Sequence, residues 1–153
     1  MTEFHTHMPA ALAEARAAAE RGETPVGAVV VDPKTGAVVA AAGNRPRAEC
    51  DPTAHAEILA IRAAGRAIGS ERLIGLDLWV TLEPCPMCAA AIAEARIARL
   101  YYGAEDEKGG GVAHGPRIFD HPACRWRPEI YSGVAAEESA AMLRAFFQSL
   151  REA

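Results

Sequence analysis

Two cysteines at the start of a predicted helix have the spacing of metal ligands. Cys85 and Cys88 lie three residues apart in Pro84-Cys85-Pro86-Met87-Cys88, and residues three apart share one face of a helix. Pro86 suits the first helical turn, where its missing N–H group costs no hydrogen bond. Because the free N–H groups of a helix N-terminus favour negative charge, both thiols should ionise easily. The pair is therefore expected to bind a cation.

A histidine upstream is the predicted third ligand. His55 lies in Thr53-Ala54-His55-Ala56-Glu57, after a turn in which Thr53 is expected to cap an alanine-rich helix. Two thiolates and one imidazole suit Zn²⁺, and three protein ligands leave the fourth position open to water, as in catalytic zinc sites. We therefore predict one zinc ion held by His55, Cys85 and Cys88.

Glu57 is the predicted proton carrier. It follows His55 by two residues, which is roughly 200° around an ideal helix, so the two side chains would not share a face. That position suits a carboxylate beside the open coordination position and does not suit a further metal ligand. We expect Glu57 to act as both general base and general acid.

Two alternatives for the cysteine pair predict different behaviour. A redox protein would show a Cys85–Cys88 disulfide and no zinc, but a redox pair needs no upstream His-x-Glu sequence. A binding module with a structural zinc ion would normally fill all four positions with protein ligands. Cys50 and Cys124 are expected to be free thiols, with Cys50 near enough to the His55 helix to lie close to the pocket.

The composition fits one globular domain. The chain has 153 residues, half of them hydrophobic, so residues 1–153 can bury a sizeable core as a single domain. No apolar run has the length of a membrane span, and no signal-peptide core is present. A cytoplasmic protein without membrane contacts is therefore expected. The net charge of −4 gives no overall attraction to nucleic acid, although the basic residues are mostly arginine, which suits phosphate and base contacts.

Hydrophobic periodicity predicts the order of the elements. A helix and a hairpin are followed by strands that alternate with helices. The predicted helices span residues 8–21, 53–66, 85–95 and 135–150, and the predicted strands span 25–31, 37–42, 77–82, 97–103 and 129–133. This order predicts an α/β domain with three layers, α/β/α, around a central mixed five-stranded sheet. In the last helix an apolar stripe is expected to pack in the core; it consists of Met142, Leu143, Phe146, Phe147 and Leu150.

A long Gly- and Pro-rich loop is predicted between residues 105 and 124. Its three glycines, Gly109 to Gly111, are not followed by Gly-Lys-Ser/Thr, which excludes a nucleotide-binding P-loop. Arginines 117, 125 and 127 alternate with Phe119 and Trp126, a pattern compatible with polynucleotide contacts. The alternative is a solvated loop whose aromatic residues pack against the protein.

Asn44 follows the second predicted strand in Gly43-Asn44-Arg45-Pro46. Its amide could both donate to and accept from a base edge. Asn is also a common turn residue, and the sequence leaves both interpretations open.

The His-x-Glu and Pro-Cys-x-x-Cys motifs together resemble those of a known enzyme family. His-x-Glu followed by Pro-Cys-x-x-Cys is an established signature of zinc-dependent nucleobase deaminases, and the chain resembles the bacterial tRNA-specific adenosine deaminase family over nearly its whole length. The zinc motif alone marks only the superfamily, so the longer runs are the more specific. These are Asp51-Pro52-Thr53-Ala54-His55-Ala56-Glu57 and Leu82-Glu83-Pro84-Cys85-Pro86-Met87-Cys88, supported by Pro25-Val26-Gly27-Ala28-Val29, Asn44-Arg45-Pro46, Tyr102-Gly103-Ala104 and Phe146-Phe147.

The resemblance implies a cytidine-deaminase-like fold and a homodimer. It implies conversion of adenosine to inosine at the wobble position of a tRNA anticodon stem-loop, typically in an arginine tRNA. It also implies that His55, Cys85 and Cys88 bind the zinc ion and that Glu57 moves the proton.

The resemblance also assigns residues to the substrate. Asn44 and Val26 match positions that line the base pocket, and Asp106 matches a position next to the target ribose. The helix around 89–95, rich in small alanine residues, is the candidate dimer surface.

Two departures from the family pattern fall where RNA would be held. The loop after Asp106 reads Glu107-Lys108-Gly109-Gly110-Gly111-Val112-Ala113-His114 where the family more usually has Lys-Thr-Gly-Ala-Ala-Gly-Ser, and the chain end lacks a strongly basic tail. The nearest rival is therefore a deaminase of a free base or nucleoside, of the guanine or cytosine type. The acidic net charge favours this rival, whereas Asn44 and the run 51–57 favour tRNA.

Overall fold

The computed structural model describes residues 5–153, along which helices and strands alternate as the sequence predicts. The helices are α1 (Met8–Glu20), α2 (Ala56–Ile68), α3 (Pro86–Ala95) and α4 (Ala136–Glu152). The strands are β1 (Gly27–Asp32), β2 (Ala37–Gly43), β3 (Asp77–Leu82), β4 (Arg99–Ala104) and β5 (Glu129–Tyr131). The boundaries differ from the predicted ones by a few residues at most.

The strands form one mixed sheet in the order β2-β1-β3-β4-β5. β1 pairs antiparallel with both β2 and β3, whereas β3, β4 and β5 run parallel to one another. The central mixed five-stranded sheet is therefore confirmed. Because β1 lies between two strands and beneath helices, its continuous apolar sequence is buried on both faces.

The helices cover the two faces of the sheet in separate layers. On one face, side chains that alternate along the strands pack against α1; this cluster includes Val29, Val31, Trp79 and Tyr101 of the sheet with Met8 and Leu12 of α1. On the other face, Val30, Leu78, Val80 and Leu100 pack against α2 and α3. This alternation follows from the two-residue period of a strand, and it confirms the α/β/α arrangement.

Helix α1 approaches the sheet closely at two paired glycines. Gly27 of β1 lies opposite Gly43 of β2. A Cβ atom on Gly27 would lie 2.6 Å from the backbone nitrogen of Ala15, and one on Gly43 would lie 2.7 Å from the carbonyl oxygen of Glu14. These glycines therefore let α1 lie directly on the hairpin.

The apolar stripe of α4 does not pack in the core as the sequence analysis expected. Ser139 is the buried residue of α4, whereas Phe147 is 44% and Leu150 51% exposed. Only the first part of the helix lies on the sheet, with Met142 partly buried against the α1 face. Periodicity shows that a helix has an apolar face, but it cannot show what covers that face.

Among the helices described within residues 5–153, none is both long enough and apolar enough to span a bilayer.

Candidate active site

The topology brings the selected residues to one edge of the sheet. β1 begins at this edge and β2 ends there, because Gly27 pairs with Gly43. β3 and β4 end at the same edge, where Leu82 pairs with Ala104. Residues far apart in sequence, from Val26 to Asp106, therefore surround one region.

His55 lies at the start of α2, just outside the helix. It is the N-cap residue, with φ −74° and ψ 153°, and Ala56 is the first helical residue. The prediction that Thr53 caps this helix is wrong, because its hydroxyl donates to Asp51 within the preceding turn. The extended backbone of His55 also means that ideal helix angles do not describe its position relative to Glu57.

Asn44 holds the start of α2 in place. Its side-chain Oδ1 accepts a hydrogen bond of 2.8 Å from the backbone N–H of Ala56, and its own backbone N–H donates to the carbonyl of Val26. Asn44 therefore supplies the acceptor that a capping side chain would otherwise provide.

The two cysteines lie at the start of α3, facing His55. Cys85 is the N-cap residue of α3, Pro86 is the first helical residue, and Cys88 lies in the first turn. His55 Nδ1 is 3.6 Å from Cys85 Sγ and 3.5 Å from Cys88 Sγ. The ligand atoms of the three residues all lie within 4.8 Å of one another, which is close enough to share one metal ion.

The charge states of the three groups favour a cation. A hydrogen bond from the Cys88 thiol, together with one from His55, lowers the pKa of Cys85 to about 4. That same bond and burial raise the pKa of Cys88, and the bond to Cys85 raises the pKa of His55. These hydrogen bonds therefore favour the thiolate form of Cys85. Coordination to a divalent metal deprotonates a thiol outright, so the buried Cys88 would also become a thiolate ligand.

The donor set fits zinc. Imidazole nitrogen and thiolate sulfur are the ligands that Zn²⁺ prefers, and three protein ligands are typical of catalytic zinc. Among residues 5–153, His55, Cys85 and Cys88 form the group of at least three His, Cys, Asp or Glu side chains with metal-binding geometry. The predicted ligands therefore converge, and no fourth protein ligand joins them there.

Glu57 is buried beside this group. It lies in the first turn of α2 and is 3% exposed. Burial raises its pKa to about 7, because a carboxylate loses hydration that the protein only partly replaces. A carboxyl group with a pKa near neutrality can take up and release a proton within one reaction cycle.

The remaining substrate candidates lie around the same edge. Val26 is 5% exposed and immediately precedes β1. Asp106 follows β4, and its Oδ1 accepts hydrogen bonds from the backbone N–H groups of Lys108 and Gly109. The structure thus places these residues at the same edge of the sheet as the metal-binding group.

Two residues near the site were not selected from the sequence. Glu83 is buried, and His114 is half-buried. His114 Nδ1 lies 2.8 Å from Glu83 Oε1, and this contact raises the pKa of His114. The signal in the sequence was a single carboxylate between a buried strand and the first cysteine. Its partners lie more than twenty residues away, so no local pattern could reveal them.

The aromatic residues at the end of the long loop contact the rest of the protein. Phe119 is buried, and Trp126 Nε1 donates to the carbonyl of Ile97. Arg127 pairs with Asp120. The aromatic residues therefore pack against the protein, whereas Arg117, Arg125 and Arg127 are exposed. Cys50 is exposed with its thiol near the carbonyl of Arg47, apart from the metal-binding group.

Comparison with known proteins first defines the class. A family model described as the cytidine and deoxycytidylate deaminase zinc-binding region matches residues 1–104. This match covers more than half of the chain, and it agrees with the partly buried His-Cys-Cys group and the adjacent carboxylate. Fold and site together define a zinc-binding deaminase.

Closer relatives define the family. A tRNA-specific adenosine deaminase of Agrobacterium fabrum (strain C58 / ATCC 33970) is 57% identical over 151 residues, which cover 99% of this chain and 98% of the relative. A solved structure from work on A-to-I editing by tRNA:A34 deaminases is 59% identical, covers 89% of this chain and 97% of its own, and gives a TM-score of 0.86. The chain belongs to the tRNA-specific adenosine deaminase family.

A guanine deaminase is a more distant relative. The X-ray structure of guanine deaminase from Bacillus subtilis is 30% identical, covers 97% of this chain and 96% of its own, and gives a TM-score of 0.64. Both measures of similarity are well below those of the tRNA:A34 deaminase structure.

Proposed function

We propose that this chain hydrolyses the wobble adenosine of a tRNA anticodon to inosine, with zinc bound by His55, Cys85 and Cys88. The observation that carries the proposal is the convergence of these three side chains beside the buried carboxyl group of Glu57. The near full-length similarity to tRNA-specific adenosine deaminases supports adenosine in tRNA as the substrate.

The reaction consumes one water and releases one ammonia. A bound zinc ion lowers the pKa of a coordinated water toward neutrality. Glu57 accepts a proton as the water oxygen attacks carbon 6 of the base, and it returns this proton to the ring nitrogen next to that carbon. Glu57 then transfers the second proton of the water to the amino group, which leaves as ammonia. Its burial next to the metal-binding group places the carboxyl group where it can transfer a proton in both directions.

Three residues are proposed to hold the nucleotide. With Oδ1 of Asn44 bonded to Ala56, its amide NH₂ group remains to donate to an acceptor on the base. Val26 provides apolar contact at the start of β1. The hydrogen bonds that Asp106 accepts within residues 5–153 use Oδ1, so Oδ2 can accept from a ribose hydroxyl.

The partner is proposed to be the anticodon stem-loop of an arginine tRNA, in the cytoplasm. The family membership and the position of Asp106 support an RNA substrate over a free base, because Asp106 has no ribose to contact in a free base. A free-base deaminase is the second candidate, since a guanine deaminase shares the fold and 30% of the sequence.

One assay separates these candidates. The purified zinc-loaded protein is incubated with an anticodon stem-loop that carries a wobble adenosine and, separately, with free guanine, cytosine and adenosine. Ammonia is measured in every reaction and inosine in those that start from adenosine. We expect the wobble adenosine of the stem-loop to be converted to inosine, and we expect no deamination of free guanine, cytosine or adenosine. Ammonia from guanine with an unmodified stem-loop would support the rival, and full zinc content with no deamination of any substrate would indicate a binding module.

We also propose a homodimer that forms through the outer face of α2 and α3. A shallow groove of about 480 Å³ runs between these helices, and it combines small, apolar and oppositely charged side chains. Its lining comprises Ile58, Ile61, Arg62, Glu71, Ala91, Glu94 and Ala95. Across a two-fold axis, Arg62 of each copy would pair with Glu94 of the other copy.

The mass in solution tests this surface. At micromolar concentration, light scattering after size exclusion should give twice the chain mass for the natural protein. Ala91→Arg should shift the population toward the monomer, because a long charged side chain would enter the groove. The control Glu20→Gln changes an exposed residue of α1 and should remain dimeric. A monomeric natural protein would contradict the proposal.

A further inference from the structure

Glu83 is buried between the end of β3 and the metal-binding cysteines. Its side chain is fully inaccessible, with 0% exposure. Oε1 accepts hydrogen bonds from the backbone N–H of Asp106 at 3.1 Å and lies 2.8 Å from His114 Nδ1. Oε2 accepts from the backbone N–H groups of Val112, Ala113 and His114 at 3.0 to 3.2 Å. One carboxylate therefore binds both ends of the segment 106–114, which we call the Gly loop.

The hydrogen bonds that the Glu83 carboxylate accepts come from Asp106 and from residues 112–114. Hydrogen bonds to an ionised acceptor are stronger than those between neutral groups. The conformation of the Gly loop is therefore tied to Glu83.

The glycines let the loop lie directly against Glu83 and the start of α3. A Cβ atom on Gly110 would collide with Glu83 Oε2, and one on Gly111 would lie 2.5 Å from the backbone nitrogen of Pro86. Gly111 also donates to the carbonyl of Pro84 at 2.8 Å. Gly110 and Gly111 thus allow close packing of the loop against Glu83 and beside Cys85.

Asp106 is held by the same arrangement. Its backbone N–H donates to Glu83, and its carbonyl accepts from Gly110 at 2.9 Å. Its side-chain Oδ1 accepts from the N–H groups of Lys108 and Gly109. If Glu83 no longer held the loop, the direction of the Asp106 carboxylate would no longer be fixed.

We propose that Glu83 is a positioning residue that fixes Asp106 and the Gly loop against the metal-binding helix and thereby sets how tightly the RNA substrate is held. The proposal rests on the proposed function for its substrate, because Asp106 is the residue assigned to the ribose. His114 extends the same role, since its ring binds Glu83 Oε1 from the far end of the loop.

Glu83→Gln is the principal test. In either orientation the amide NH₂ group would face backbone N–H donors in place of an accepting oxygen. We expect the KM for the anticodon stem-loop to rise by about tenfold or more, while kcat changes little and the zinc content stays normal. This pattern is expected because the loop would stabilise the bound ground state and the transition state equally. Backbone amides of 110–114 should exchange hydrogen faster, whereas those of β1 should not.

Two further variants keep the test decisive if Glu83→Gln folds poorly. Gly110→Ala leaves Glu83 intact and pushes the loop away from it, so it should raise KM in the same way. His114→Ala removes one hydrogen bond but keeps the backbone N–H groups, so its rise in KM should be smaller. Glu20→Gln is the matched control and should resemble the natural protein in KM and in amide exchange.

The outcomes separate this proposal from the proposed function. Natural protein that fails to deaminate the stem-loop would contradict the function, and the exchange measurement would still test the loop. Unchanged exchange at 110–114 in the Glu83 and Gly110 variants would overturn the positioning role. So would a loss of kcat with an unchanged KM in an otherwise active enzyme.

Discussion

Glu57→Gln is expected to lower kcat by at least about 10²-fold, the usual scale for the loss of a general acid–base group, while the protein keeps its zinc. Glutamine has nearly the same shape as glutamate, so packing at this buried position should survive. It cannot accept or return the proton, however, so the proton transfer assigned to Glu57 would be lost. Turnover of the stem-loop and zinc content by mass spectrometry are measured on the same preparation.

The control for Glu57→Gln is Glu20→Gln, the same chemical change at an exposed position of α1. It should match the natural protein in both measurements. Near-normal turnover by fully zinc-loaded Glu57→Gln would remove Glu57 from the mechanism.

Cys88→Ala is expected to abolish both zinc binding and turnover. Cys88 is fully buried in the first turn of α3, and its thiol lies 3.5 Å from His55 Nδ1. Its removal leaves one thiolate and one imidazole, which cannot complete the three-ligand set of a catalytic zinc. Because metal binding contributes to folding in such sites, the thermal unfolding temperature should also fall toward that of the chelator-treated natural protein.

Matched cysteine variants make this prediction specific. Cys50→Ala and Cys124→Ala remove thiols that lie outside the metal-binding group, so both should keep zinc and activity. Zinc bound at full stoichiometry by Cys88→Ala would contradict the assignment of Cys88 as a ligand.

The metal-binding group could be predicted because its chemistry is local in the sequence. Cys85 and Cys88 lie three apart at a helix start, and His55 precedes Glu57 in a second short motif. In the structure β2 and β3 both run antiparallel to β1, so each motif follows a strand that ends at the same edge of the sheet. The residue types and the spacing indicated the site, and the topology brings its residues together.

Other features could not be predicted because they depend on contacts over long sequence separations. Asn44 was expected either to bind a base or to form a turn, and the structure adds a third role, the hydrogen bond to Ala56. Glu83 binds residues of the Gly loop that lie more than twenty positions away. The apolar residues of α4 were wrongly assigned to the core. Periodicity shows that a helix has an apolar face, but it does not show what covers that face.

The most direct test is the wobble nucleoside of tRNA in cells depleted of this protein, measured by mass spectrometry of the isolated tRNA. The account predicts that wobble inosine disappears and adenosine replaces it. Re-expression of the natural protein should restore inosine, and re-expression of Glu57→Gln should not. Unchanged wobble inosine in the depleted cells would contradict the account.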